Sequence, residues 1–361
     1  MAVTSSGRAP WWSWAWPLVA WLVLLLGVAV GSHGILDAVA GVALIATVFA
    51  AVYHAEIVAL RVGEPFGTIV LAVAVTVIEV ALIVSLMLAP SADKAGLARD
   101  TVFAAVMIVC NGIVGLCLLA GGARHREQGF QVASASAALA VLAALTVLSL
   151  VLPGYTTTTP GPYFSKSQLI FAGVASLVLY GSFIFVQTVR HRDYFLPLDG
   201  GADEHAAPPS ARAALISFTL LLACLVAVVG LAKSLTPMLQ AGVAWLQAPK
   251  AAVGVVIATL VLLPEGVSAL KAARANRLQT SLNLALGSAL ATIGLTIPAV
   301  VAVSLLFGEP LELGLGAKDQ LLLALTLFIG VITLGTGRTT VLQGVVHLAI
   351  FATFLFLSVV P

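Results

Sequence analysis

The sequence is poor in charge. Only 9% of its 361 residues are Asp, Glu, Lys or Arg, against 61% that are hydrophobic, and its mean hydropathy is +1.12. A soluble domain carries about 25% charged residues, which cover its water-facing surface. The shortage excludes a soluble enzyme, a nucleic-acid binder and a disordered chain. The net charge of +2 is too small to recruit a polyanion. Cysteine is scarce too. Cys110, Cys117 and Cys224 lie in apolar runs and form no CxxC pair, so they indicate neither a zinc site nor a disulfide framework. Runs alternating with a period of two are absent, which excludes a transmembrane β-barrel. Neither HExxH nor a Ser-His or paired-Asp constellation is found in the apolar runs, which argues against an intramembrane enzyme.

What is present is a series of apolar runs, each near the 20 or so residues that cross a bilayer as a helix. Eleven are expected, at roughly 17–33, 36–60, 66–89, 101–121, 132–152, 167–189, 212–232, 250–271, 280–306, 319–336 and 339–360. The first is read as a span rather than a signal peptide, because Trp11, Trp12, Trp14 and Trp16 suit an interfacial belt. The expected fold is an all-α polytopic membrane protein that meets the lipid bilayer directly. Placing the N-terminus and the even-numbered loops on one side puts eleven Lys and Arg residues there and six on the other. By the positive-inside rule the N-terminus is cytoplasmic and the C-terminus outside. The longest polar stretch, 191–211, carries Asp193, Asp199, Asp203 and Glu204 and reads as a weakly acidic cytoplasmic linker.

Two blocks of five spans follow the first span. The domain plan is a leading segment and first span (1–35), a first repeat (36–190), the linker (191–211) and a second repeat (212–361). Five is odd, so the blocks enter the membrane from opposite faces, as in the inverted repeats of many secondary transporters. Without gaps, residues 99–116 match 278–295 at Thr101/Thr280, Gly115/Gly294 and Leu116/Leu295. Each segment follows a span with one central glutamate, Glu79 in the first block and Glu265 in the second. No other Asp, Glu, Lys or Arg lies as deep in a span. A charge at the bilayer centre costs at least about 2.5–3.5 kcal/mol and marks an ion pathway.

Two carboxylates in one dry site cannot both remain ionised without a cation. A hard cation takes oxygen ligands, about 6–8 of them for Ca²⁺. Pro264 has no N–H, so the Leu260 carbonyl loses its helical donor and becomes a candidate ligand. Thr76, Asn111, Asn283 and Ser288 are further candidates, with interhelical hydrogen bonding as the competing role for Asn111 and Ser288 and the favoured one for Thr292. His54 and Glu56, near the expected cytoplasmic end of span two, are candidates for a proton path, or else a solvated helix end. His347 reads as a hydrogen-bonded packing residue. Two protons or one Ca²⁺ neutralise the pair, and only a neutral site crosses the membrane cheaply, which favours exchange over leak. Na⁺ plus one proton satisfies the same arithmetic. A cation channel is the alternative class, and it would need a continuous pore.

Three stretches, 63–87, 99–116 and 263–300, together with the tail 343–357, resemble the calcium/cation–proton exchanger family of the cation/Ca²⁺ exchanger superfamily, most closely its bacterial ChaA-type antiporters. The resemblance implies export of Ca²⁺, or of Na⁺ or K⁺, driven by proton entry across the inner (cytoplasmic) membrane. It implies Glu79 and Glu265 as the shared cation and proton site, and no cofactor. The sequence departs from the family at Val75-Thr76 and Val261-Leu262, where a Gly-Asn pair is usual, and at Ala291, where a glutamine is usual. The missing amide oxygens keep Na⁺ and K⁺ among the expected substrates.

Overall fold

In lipid every backbone N–H and C=O must be satisfied within the protein, so long apolar runs close on themselves as helices. The computed structural model describes residues 9–31, 34–63, 66–87, 95–196, 209–245, 249 and 251–360. Its helical rods are α1 (Trp11–Val30), α2 (Gly34–Val62), α3 (Phe66–Met87), α4 (Leu97–His125), α5 (Val132–Gly154), α6 (Lys166–Arg190), α7 (Ala211–Trp245), α8 (Ala251–Arg274), α9 (Leu278–Phe307), α10 (Ala317–Leu334) and α11 (Val341–Val359). They match the eleven expected spans one for one. Ten are long and apolar enough to cross a membrane, and α3 contributes the shorter apolar stretch Val70–Ser85. Three rods contain π turns, at Ile108–Ile113 in α4, Val147–Val151 in α5 and Val186–Arg190 in α6. The expected linker is described only to residue 196 and from 209. Asp199, Asp203 and Glu204 lie outside the described residues.

The chain divides into two compact units, residues 1–88 with 203–247 and residues 89–202 with 248–361. The first therefore holds α1, α2, α3 and α7, and the second α4–α6 and α8–α11. Each unit draws on both expected repeats, and α3 and α8, which carry the two glutamates, fall in different units.

In the first unit α2 packs on α1, α3 and α7. Trp21 Nε1 of α1 donates to the Ala223 carbonyl of α7 at 3.2 Å. Pro17 lies inside α1. It has no N–H, so the carbonyl of Ser13 lacks its usual helical donor. His54 of α2 supplies one, with Nε2 2.9 Å from that oxygen.

In the second unit α4 is the centre. Of its most apolar stretch 89% is buried inside the protein, against 56% for α9. Helices at corresponding places in the two expected repeats pack alike. α11 packs on α4 and α6 packs on α9. A Cβ on Gly344 of α11 would stand 2.5 Å from Leu119 N, and one on Gly173 of α6 would stand 3.6 Å from Pro298 Cα. Leu119 and Pro298 are 179 residues apart, the same offset as Gly115 and Gly294. Both outer helices open on a capping box, Ser165 with Gln168 and Thr340 with Gln343.

The loops also pair. Strand β1 (Gln128–Gly129), before α5, pairs antiparallel with β2 (Arg338–Thr339), before α11. Beyond the other end of α5, Tyr163 bridges to Glu312 in the loop after α9. The two pairings therefore lie beyond opposite ends of α5.

The two ends are closed by different chemistry. At one end Gln279 on the first turn of α9 donates to Ser134 at 2.8 Å and accepts from the Gln131 N–H at 2.7 Å. At the other, Arg99 on the first turn of α4 donates to Asp100 at 2.8 Å, to Glu312, and to the Gly314 carbonyl at 3.1 Å. These ionic side chains are only about a fifth exposed. Arg99→Ala leaves two half-buried carboxylates without their cation. The expected cost is about 1–3 kcal/mol, read as a lower unfolding temperature in detergent. A variant as stable as the parent would show that the latch contributes nothing.

Candidate ion-binding site

Glu79 is the fourteenth residue of the 22-residue α3 and Glu265 the fifteenth of the 24-residue α8, so both sit near mid-helix as expected. Glu79 is 2% exposed and Thr76, one turn earlier on the same face, 5%. Both side chains are therefore buried within the protein. Glu265 is half-buried in the second unit. α8 stays helical through Pro264 and Gly266, so the carbonyl of Leu260 faces a residue that has no N–H to offer.

Helix geometry sorts the other candidates. α8 and α9 pack together and are joined by a short turn at Ala275–Arg277, where Asn276 takes the left-handed conformation (φ 60°). Glu265 lies nine residues before Arg274, and nine residues after Leu278 is Gly287. At 1.5 Å of rise per residue, half-buried Ser288 is level with Glu265, whereas Asn283 lies about 6 Å nearer the turn. The Asn283 amide is engaged there, donating to the Phe195 carbonyl at 2.7 Å and accepting from Gln279 at 2.9 Å. Of the polar candidates on α9, Ser288 is at the right depth and Asn283 serves the loop end. Thr292 is buried one turn beyond Ser288.

Asn111 is buried in the π turn of α4 and bonds to Thr326 of α10 and His347 of α11. His347 is thus a hydrogen-bonded interior residue, as its sequence context indicated. Neither Thr326 nor Thr333, whose Oγ1 lies 3.1 Å from His347 Nε2, stands out in the sequence, because threonines are common in these spans. His54 is 2% exposed rather than solvated, and its Nε2 is committed to the Ser13 carbonyl. Glu56 is half-buried two residues further along α2.

Among the described residues no three His, Cys, Asp or Glu side chains are grouped to hold a metal ion.

Comparison with known proteins places the chain in a family. The family model for the sodium/calcium exchanger protein matches residues 14–189 and 216–360. The sodium-potassium/proton antiporter ChaA of Escherichia coli is 35% identical over 349 residues, covering 94% of this chain and 93% of that protein. A protein of Sinorhizobium fredii, named provisionally as the ionic transporter y4hA, is 54% identical over 360 residues, covering 99% of this chain and 98% of its own. Two solved structures share the fold. Native YfkE has a TM-score of 0.74 at 16% identity, covering 95% of this chain and 98% of its own. The H⁺/Ca²⁺ exchanger CAX has a TM-score of 0.70 at 15% identity, covering 96% and 88%. With the family model matching most of its length, this multi-pass membrane protein belongs to the sodium/calcium exchanger protein family.

Proposed function

We propose that the protein is a secondary active cation/proton antiporter that exports Ca²⁺, or Na⁺ or K⁺, across the cytoplasmic membrane in exchange for H⁺ by alternating access. Glu79 and Glu265 are its shared cation and proton site. The observation that carries this reading is one carboxylate near the middle of each of two membrane helices that correspond in the repeat. A lone carboxylate at that depth is costly unless it takes up a proton or a cation. Two carboxylates balance either two protons or one divalent ion, so loading with either gives a neutral site that can change its access. Thr76, Ser288 and the Leu260 carbonyl supply further oxygens. The repeats occupy 36–190 and 212–361 with the linker between them, and the Lys and Arg bias places the N-terminus in the cytoplasm and the C-terminus outside.

A second reading, exchange of Na⁺ and K⁺ without Ca²⁺, is favoured by Val75-Thr76 and Val261-Leu262, which offer one side-chain oxygen among four residues. The name of the Escherichia coli relative points the same way. Everted vesicles carrying a pH-sensitive dye separate the two. After an imposed acid-inside gradient, addition of Ca²⁺, Na⁺ or K⁺ in turn is expected to release protons. Release by Na⁺ and K⁺ with none by Ca²⁺ selects the second reading. Ion-driven currents without proton movement would overturn both and indicate a channel.

A further inference from the structure

The centre of α4 holds a polar cluster that charge neutrality at Glu79 and Glu265 does not require. Asn111 is fully buried in the π turn Ile108–Ile113. A π turn carries one residue more than an α-turn and re-aims the side chains around it, and such turns recur at functional sites. Asn111 Nδ2 donates to Thr326 Oγ1 at 2.8 Å, and the Thr326 hydroxyl donates onward to the Leu322 carbonyl at 2.8 Å. Asn111 Oδ1 accepts from His347 Nδ1 at 3.2 Å, and His347 Nε2 accepts from Thr333 Oγ1 at 3.1 Å. The order of donors and acceptors assigns one tautomer to His347, with its proton on Nδ1. The Asn111 oxygen is therefore engaged by an imidazole N–H and is not turned to an ion.

The same π turn abuts the helix of Glu265. A Cβ on Gly266, the next residue, would stand 3.2 Å from Ile113 Cδ1 at the end of the turn. On the α11 side, a Cβ on Gly112 would stand 3.2 Å from the Phe351 ring and one on Gly115 3.0 Å from Leu348 Cγ. The turn is thus wedged between α8 and α11 with no spare space. The offset of 179 places Leu290 at the position equivalent to Asn111, so this helix position accepts an apolar residue in the other repeat. The polar cluster belongs to one repeat alone, in the unit that contains Glu265.

We propose that Asn111, His347 and Thr326 are positioning residues for Glu265. By fixing the shape and height of the π turn they set where α8 rests at Gly266, and hence how far the neighbouring carboxylate reaches toward its ion. This inference rests on the reading of Glu265 as an ion-binding carboxylate. It assigns Asn111 to the support of the site and not to its ligands. Outer partners of this kind act on ion affinity before they act on turnover.

The test is cation-evoked proton flux in everted vesicles at matched protein amounts, with Ca²⁺ and Na⁺ titrated separately as probes. His347→Leu is expected to raise the half-saturating cation concentration by about tenfold, with the maximal flux almost unchanged. His347→Gln, whose amide N–H restores the bond to Asn111, is expected to return most of that affinity. Thr326→Val, nearly isosteric and the milder change, is expected to raise half-saturation by about threefold, and it decides the matter alone if His347→Leu does not accumulate. Parental half-saturation in His347→Leu and Thr326→Val overturns the proposal. So does a rise in His347→Gln as large as that in His347→Leu. Glu265→Gln in the same vesicles keeps the two inferences apart. Exchange that survives it overturns the Glu265 reading, whereas exchange lost there with parental affinity in the cluster variants overturns only the positioning role.

Discussion

Glu265→Gln and Glu79→Gln are each expected to reduce cation-evoked proton flux by about 100-fold, with the protein still inserted and folded. Glutamine keeps the length and hydrogen-bonding capacity of the side chain, so the packing of a buried group such as Glu79 survives. What it loses is the proton and the charge. On the proposed reading, a site left with one carboxylate cannot neutralise a divalent ion, and a net charge at the bilayer centre costs about 2.5–3.5 kcal/mol. At 1.4 kcal/mol per factor of ten that is a loss of about 100-fold. Glu→Asp at either position keeps the charge but withdraws it by one methylene, so partial activity at raised half-saturation is expected. The measurement is initial proton flux against cation concentration in vesicles with equal protein. Parental flux in both glutamine variants would remove these residues from the mechanism.

Gly344→Leu is expected to destabilise the second unit by about 3 kcal/mol. Helices in lipid gain nothing from hiding apolar surface from one another and cohere through close packing of small residues. Gly344 is such a residue. Any Cβ there would meet Leu119 N at 2.5 Å and the Gly115 carbonyl oxygen at 2.9 Å. These are backbone atoms of the buried central helix and cannot swing aside as a side chain would, so α11 must move outward. Gly181 on α6 is the control, because no atom lies within 4 Å of its Cβ position. Gly181→Ala is expected to leave stability within about 0.5 kcal/mol. Thermal unfolding in detergent reports both. Equal midpoints for the two variants would mean that the α4–α11 contact does not govern stability.

Much of the fold was legible because lipid leaves few options. A run of some 20 apolar residues has to become a helix, and the eleven runs became eleven rods. The ends were less legible. α7 continues to Trp245, well past the expected end at residue 232, because Pro237 is accommodated inside the helix instead of ending it. α1 begins at Trp11 and passes through Pro17, since the carbonyl that Pro17 strands at Ser13 is taken by His54. That rescue comes from a helix 41 residues away in sequence and leaves no local trace. The capping boxes at Ser165 and Thr340, before α6 and α11, are readable signals, Ser or Thr followed three residues later by Gln.

The candidate site divides in the same way. That Glu79 and Glu265 stand alone in depth is a property of the sequence, since position along an apolar run fixes depth in the membrane. The ranking of their neighbours is not. Asn283 and Ser288 are equally polar and only five residues apart, but the α8–α9 turn sets Ser288 level with Glu265 and leaves Asn283 at the loop end. Asn111 looks like a ligand until α10 and α11 bring Thr326 and His347 to it from more than 200 residues away.

The sequence by itself determined the solvent, the number of long apolar helices and the mid-helix position of Glu79 and Glu265. Each follows from composition and spacing along one chain, and the low dielectric of lipid penalises any other outcome. Tertiary structure alone decided the partners of each polar group, the ionic latch at one end and the amide latch at the other, and the wedging of the π turn between α8 and α11. Hydrogen bonds act over about 3 Å, and which groups come within that distance depends on how helices remote in sequence pack.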